Sequence, residues 1–112
     1  MPAYAIGHFT SVRPHPDVID YVERIQATLD PYSGRFLVHG GPVEALEGEC
    51  GTELVVIEFP GKDEARAWYN SPAYQEILPL RTRHVDGDAF LIEGVGPDYD
   101  PARKGEVLRR SL

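Results

Sequence analysis

Trp68-Tyr69-Asn70-Ser71-Pro72-Ala73-Tyr74-Gln75, arriving just after the apolar run Leu54-Val55-Val56-Ile57-Glu58-Phe59, decides how this chain folds. The Ser71 hydroxyl can accept from the free backbone N–H groups of a helix start, and Pro72 suits the first helical position, where no N–H is needed. One helix therefore breaks at Asn70-Ser71-Pro72 and a fresh one begins. That start brings Tyr69, Tyr74 and Gln75 into a small space, the composition of a pocket wall as well as of a plain aromatic core.

Upstream, Glu53–Phe59 reads as a strand stopped by Pro60-Gly61, and a helix begins near Lys62. Downstream, Tyr74, Ile77, Leu78 and Leu80 continue the second helical pattern. Pro79 lacks an N–H and crowds the carbonyl four residues back, which predicts a kink or stop there. Asp86-Gly87-Asp88 reads as a turn, Ala89–Val95 as the last strand, and Gly96-Pro97 as the end of the domain. At the other end, Ala3–Val12 reads as the first strand. From Asp17 the residues Val18, Tyr21, Val22, Ile25 and Leu29 repeat at helical spacing, up to Pro31. Tyr32-Ser33-Gly34 then turns into a strand over Arg35–His39. Gly40-Gly41-Pro42 bends the chain, Val43–Leu46 reads as a short hairpin arm, and Glu47–Thr52 as loop.

The order is βαββαβ, an α+β, ferredoxin-like plan with a four-stranded antiparallel sheet. Right-handed crossovers place strands one and three side by side, with strands two and four at the edges and two helices on one face. Strand three is apolar on both sides: Leu54 and Val56 point one way, Val55, Ile57 and Phe59 the other. A wet face would alternate with polar residues, so a second copy is expected to pack sheet to sheet as a homodimer.

With 112 residues the chain makes one domain over 1–96 and a tail over 97–112, expected to be extended or partly disordered. Up to Gly96 there are 15 acidic and 7 basic residues, whereas the tail has 3 and 4. A net charge of −7 without a Lys/Arg cluster argues against nucleic acid as partner. No segment is long and apolar enough for a membrane span, nor does the N-terminus read as a signal peptide, so a cytoplasmic location is expected. The single cysteine, Cys50, reads as an inert loop thiol beside Glu49.

These residues resemble a known family, the domain-of-unknown-function family 1330 within the dimeric α+β barrel superfamily, over roughly residues 3 to 95. The resemblance rests on Gly34-Arg35-Phe36-Leu37-Val38 with Gly40-Gly41, on Val55-Val56-Ile57-Glu58-Phe59-Pro60, on Ala67 to Gln75, and on Leu80-Arg81. It implies a dimeric α+β barrel, without an established reaction for the family. The wider superfamily includes cofactor-independent oxygenases, isomerases, decarboxylating and dehalogenating enzymes and haem-binding proteins, which use a cavity between the sheet and its helices.

If strands one and three run parallel, His8 and Glu58 lie at the same end of the sheet, with Arg35 at the start of strand two beside them. Together they would supply a proton acceptor, a carboxylate to orient it, and a cation for a developing oxyanion. His8, Glu58 and Arg35 are thus the candidate catalytic residues, although Arg35 with Glu58 also reads as a structural ion pair. His39, Tyr69, Ser71, Tyr74, Gln75 and Arg81 are the candidate ligand-binding residues, Ser71 being better explained as a cap than as a nucleophile. CxxC, HExxH, Walker and dinucleotide signatures are absent, so no metal or cofactor is expected. A site built on His8, His39 and a carboxylate stays open, and His39 and His84 are nominal haem ligands.

Two functions fit. One is a homodimeric enzyme without cofactor, doing proton-transfer or oxygenase/isomerase-type chemistry on a small carbonyl or aromatic compound. The other is a non-catalytic dimeric ligand-binding or accessory module.

Overall fold

The computed structural model describes residues 1–51 and 53–112; Thr52, the last residue of the expected Glu47–Thr52 loop, lies outside the described residues. Four strands, β1 (Ala3–Val12), β2 (Arg35–His39), β3 (Glu53–Phe59) and β4 (Val85–Glu93), form one sheet in the order β2-β3-β1-β4. Three helices, α1 (Pro16–Leu29), α2 (Lys62–Tyr69) and α3 (Pro72–Thr82), lie on the side of the sheet to which Ala3, Ala5, Phe9, Ile57 and Phe59 turn their buried side chains. A fourth, α4 (Ala102–Arg109), forms in the tail.

β1 is antiparallel to both β3 and β4, which corrects the parallel arrangement expected for strands one and three. The reason is topological. A right-handed crossover through α1 makes β1 and β2 parallel, and β3 fills the gap between them while pairing antiparallel with β2. In this register His8 stands opposite Leu54, and Glu58 opposite Tyr4. Four residues of strand separate the two positions, about 13 Å at a strand's rise of ~3.3 Å per residue.

The helix starts follow local chemistry. The His15 ring Nδ1 accepts the Asp17 N–H at 3.0 Å, with Pro16 behind it as the first residue of α1. Ser71 caps α3, accepting the Tyr74 N–H at 3.3 Å and donating its own hydroxyl to the Trp68 carbonyl at 2.7 Å. α3 runs through Pro79 to Thr82, so of the kink or stop expected at Pro79 the stop does not occur. Tyr74 and Ile77 bury there with 2% and 1% exposure, and that packing outweighs the backbone bond that Pro79 cannot donate.

Three other expectations are corrected. Val43–Leu46 forms no strand; it lies in an irregular exposed connection closed where the Gly40 N–H donates to the Leu54 carbonyl at 2.9 Å. Asp86-Gly87-Asp88 is not a turn, because β4 starts at Val85 and pairs through it, across a register shift between Phe9 and Ser11. Gly87 permits this with φ 141° and a backbone pressed against the His8 carbonyl, a space that no Cβ could share. The tail, expected to be extended or partly disordered, is not extended over 102–109 but forms α4, whose start is held by the Asp100 carboxylate accepting the Ala102 N–H at 3.0 Å. No residue of α4 is buried. The radius of gyration, 16.3 Å against about 13 Å for a compact chain of this length, reflects such segments standing away from the body.

The core gathers Leu29, Phe59 and Ile77, fully buried, with Ile25, Ile57, Ala65 and Trp68. The Trp68 indole N–H donates to the Thr28 hydroxyl at 3.0 Å, and that hydroxyl donates to the Ile25 carbonyl at 2.6 Å, so the bulkiest side chain leaves no unmet donor. Among the described residues, no helix is long and apolar enough to cross a membrane. Phe59→Ala is expected to cost about 3–5 kcal/mol, whereas Ile19→Ala on the exposed side of α1 stays within about 0.5 kcal/mol. Urea unfolding midpoints of the two variants check this.

Candidate functional site

β1 carries small residues on its inner face, Ala3, Ala5 and Gly7, before the large Phe9. The Phe9 ring lies over Gly7, and beside it, between this strand and the helices, is a gap that side chains do not fill. It is a cavity of about 330 Å³. Its sheet wall includes Ala5, Gly7, Phe9, Val55 and Ile57, and its helical wall Val18, Tyr21, Ile25, Trp68 and Tyr74. Aromatic rings dominate one side: the Trp68 and Tyr74 ring centroids are 4.1 Å apart, and those of Tyr69 and Tyr74 5.5 Å.

Three polar groups meet inside this apolar wall. The Tyr21 and Tyr74 hydroxyls share a hydrogen bond of 2.7 Å, joining α1 to α3. Arg81, half-buried near the end of α3, lays its guanidinium over the Phe9 ring at 5.0 Å and the Tyr21 ring at 5.7 Å. Burial, and secondarily the neighbouring Tyr74, pushes the Tyr21 phenol well above the ordinary tyrosine range, so it stays protonated. Burial opposes the Arg81 charge, but the phenolic oxygens of Tyr21 and Tyr74 outweigh it and hold the guanidinium raised. Among the described residues no carboxylate pairs with Arg81, nor with the exposed Arg66 of the same lining, whereas Arg13, Arg24 and Arg35 each have one. At the rim stand His39, exposed and stacked on Phe36 at 4.5 Å, half-buried Glu53, and Tyr69.

Of the residues singled out from sequence, His39, Tyr69, Tyr74 and Arg81 line this cavity. Ser71 is 6% exposed, with its hydroxyl committed to capping. Gln75 is exposed and donates its amide to the Tyr69 carbonyl at 2.7 Å, steadying the α2–α3 corner from outside. His8, Arg35 and Glu58 do not converge. Arg35 and Glu58 form an ion pair, Nη2 to Oε1 2.9 Å and Nε to Oε1 3.0 Å. His8 sits farther along the sheet, with Gly51 pressed against its imidazole. All three occupy alternate positions to the buried residues of their strands and so face away from the helices.

Tyr21 was legible only as one apolar position in a helical stripe. Its hydroxyl among Val18, Val22 and Ile25 is the one local sign of a polar function. His15, Asp17 and His84 form a separate cluster, with His84 Nε2 3.0 Å from the Asp17 carboxylate and the imidazoles stacked at 3.8 Å and 12°. The hydrogen bond from His84, above all, lowers the Asp17 carboxyl. Parallel rings do not aim their nitrogens at a common point, so this arrangement serves as a clasp between the start of α1 and the α3–β4 turn.

Because the folded state holds the Tyr21 proton more tightly than the unfolded chain, its stabilisation is complete below about pH 10 and is lost as pH rises beyond that. Tyr21→Phe should remove that alkaline loss and, by stranding the Tyr74 hydroxyl, cost about 1–3 kcal/mol at neutral pH. Urea midpoints between pH 8 and 11, with ultraviolet titration of the phenols, measure both effects.

Solved structures share this fold at low identity. The RPA0582 protein of Rhodopseudomonas palustris, of unknown function, is 16% identical, with a TM-score of 0.66 over 86% of this chain and 84% of that one. SnoaB of Streptomyces nogalater, described as a cofactor-independent oxygenase, is 11% identical, with a TM-score of 0.59 over 88% and 98%. A protein of unknown function from Jannaschia sp. CCS1, described as dimeric and ferredoxin-like, is 15% identical, with a TM-score of 0.53 over 86% and 100%. No curated protein matches the chain. The ferredoxin-like α+β architecture is thereby shared with proteins of diverse or unassigned roles. The family model of the domain of unknown function DUF1330 matches residues 2–95, and the chain belongs to that family.

Proposed function

We propose that the protein works as a homodimer that binds a small aromatic or carbonyl compound between sheet and helices, and transforms it without a cofactor by proton transfer, with isomerisation or oxygenation as the outcome. The observation that carries this reading is the aromatic-walled cavity with a hydrogen-bonded tyrosine pair and a guanidinium inside it. A pocket that is mostly apolar with a few convergent polar groups is the usual form of a small-molecule site. The oxygenase description of SnoaB supports it by analogy of fold only.

In this reading Tyr21, Tyr74 and Arg81 hold and orient the polar end of the ligand. His39 supplies the imidazole base that takes a proton from carbon at the rim, beside Tyr69. The resulting enolate is reprotonated at another carbon, giving isomerisation, or reacts with dioxygen as oxidant. Binding without turnover is the second reading, favoured by the exposure of His39 on Phe36, which leaves it less enclosed than a dedicated base.

The dimer rests on the outer face of the sheet. Leu54, Phe90 and Ile92 are 39%, 48% and 52% exposed there, a contiguous apolar surface with Ile6 and Val56. A second copy packed face to face would cover it.

Light scattering at micromolar concentration is expected to give twice the chain mass, and the chain mass alone would remove the dimer. The neutral fluorophore N-phenyl-1-naphthylamine is expected to bind one equivalent per chain, and to be lost in Ala5→Phe, which fills the cavity. Absence of saturable binding would remove the small-molecule reading. Incubation with hydroxylated aromatics and 1,3-dicarbonyl compounds in air, followed by an oxygen electrode and mass spectrometry, tests turnover. His39→Ala should slow any reaction found by about 10²–10⁴-fold, and full turnover in that variant would take the base role from His39.

A further inference from the structure

We propose that the ligand of this cavity is an aromatic monocarboxylate, its carboxylate seated on Arg81 and the Tyr21–Tyr74 hydroxyl pair and its ring system against the apolar wall. The proposal rests on the small-molecule reading above and names the ligand class.

The first argument is charge. Arg81 is a half-buried cation, and no carboxylate pairs with it among the described residues. A cation drawn partly out of water without a counter-ion is costly, and a buried anion beside it offsets that cost. The second is geometry. Stacking over Phe9 and against Tyr21 restrains the guanidinium plane on the cavity side instead of letting it swing to solvent. A guanidinium offers N–H groups in a planar fork, the match for two carboxylate oxygens.

The third is donor count. The two phenols are 2.7 Å apart, so one donates to the other and one phenolic proton is left to point elsewhere. The cluster therefore presents donors on both sides of a small space. An ionised carboxylate, which only accepts, complements such a cluster better than an amide or alcohol, which brings donors of its own.

Size and the rim narrow the class further. A volume of about 330 Å³ is at the small end of ligand cavities, enough for a compound of two or three aromatic rings. The walls of Val18, Ile25, Trp68, Val85 and Leu91 offer dispersion and ring contacts; Arg66, a second cation of the lining, is exposed, so water screens its charge more than that of half-buried Arg81. Glu53 at the rim opposes a second negative charge on the ligand. The chain as a whole is at −7, so a general attraction for anions does not supply the selectivity; it has to come from this cluster.

Isothermal titration calorimetry of the full chain at pH 7.5 tests the proposal with 2-naphthoate, 2-naphthamide and naphthalene-2,6-dicarboxylate, with N-phenyl-1-naphthylamine as the neutral reference. The expected result is one 2-naphthoate per chain, with the amide and the dianion each at least tenfold weaker. Arg81→Gln, checked for folding by circular dichroism, should weaken 2-naphthoate at least tenfold and bring acid and amide together. Equal binding of acid and amide, or an unaltered acid affinity in Arg81→Gln, would overturn the carboxylate assignment and leave the cavity reading standing. Failure of every naphthyl compound and of the neutral reference would overturn both. The comparison of acid with amide on the unaltered protein decides the matter even if the variant does not fold.

Discussion

A strand that follows β2 has one vacant place beside β1, and by filling it β3 becomes antiparallel to both neighbours. The rest of the molecule depends on that insertion. It sets the pairing of Ala5 with Ile57 and Leu91, and thereby decides which alternate residues of each strand meet the helices. A slip by one residue would turn Ile57 and Phe59 out and Glu58 in. The depth to which Phe59 and Leu29 are buried, each at 0% exposure, is the energetic weight holding the register.

The same register makes room for a cavity. β1 turns Ala5 and Gly7 to the helices, with the Phe9 ring lying over Gly7, and beside that ring a gap remains between the sheet and α1 and α3. Such a gap costs packing energy. Its polar contents are arranged with equal economy: the Tyr21 and Tyr74 hydroxyls satisfy one another, Trp68 is met by Thr28, and no buried side-chain nitrogen or oxygen among the described residues lacks a partner. Arg81 differs, its positive charge facing rings and phenolic oxygens, with no carboxylate paired with it among the described residues. The opposite face has a different character. There the Arg35–Glu58 pair and a spread of half-exposed apolar side chains make a surface.

Most of the fold was legible from short-range signals. The bounds of β1, β2 and β3, the start of α2, and the Ser71 cap all follow from β-rich runs closed by proline or glycine and from one hydroxyl at a helix start. Where local signals misled, long-range packing had overruled them. Asp86-Gly87-Asp88 has the composition of a turn, yet β1 runs alongside and pairs with it. Pro79 favours a kink or an end of the helix, and buried Tyr74 and Ile77 carry α3 past it. The candidate site was half legible. Tyr69, Tyr74 and Arg81 stood out because aromatic and cationic residues cluster along one short stretch, while Tyr21 lies 53 residues away from its hydroxyl partner.

By itself, the sequence determined the order of elements, the α+β class and the set of polar residues from which a site could be drawn, because caps, breakers and hydrophobic periods act over a few residues. Only the tertiary structure decided which of those residues meet. Strand direction follows from the crossover and from which edge is vacant, neither of which is a local property. That choice sent His8 and Glu58 to different stretches of the sheet, and brought Tyr21 from α1 against Tyr74 and Arg81 from α3. Convergence is a property of the packed chain, since it depends on α1 and α3, far apart in sequence, packing against each other.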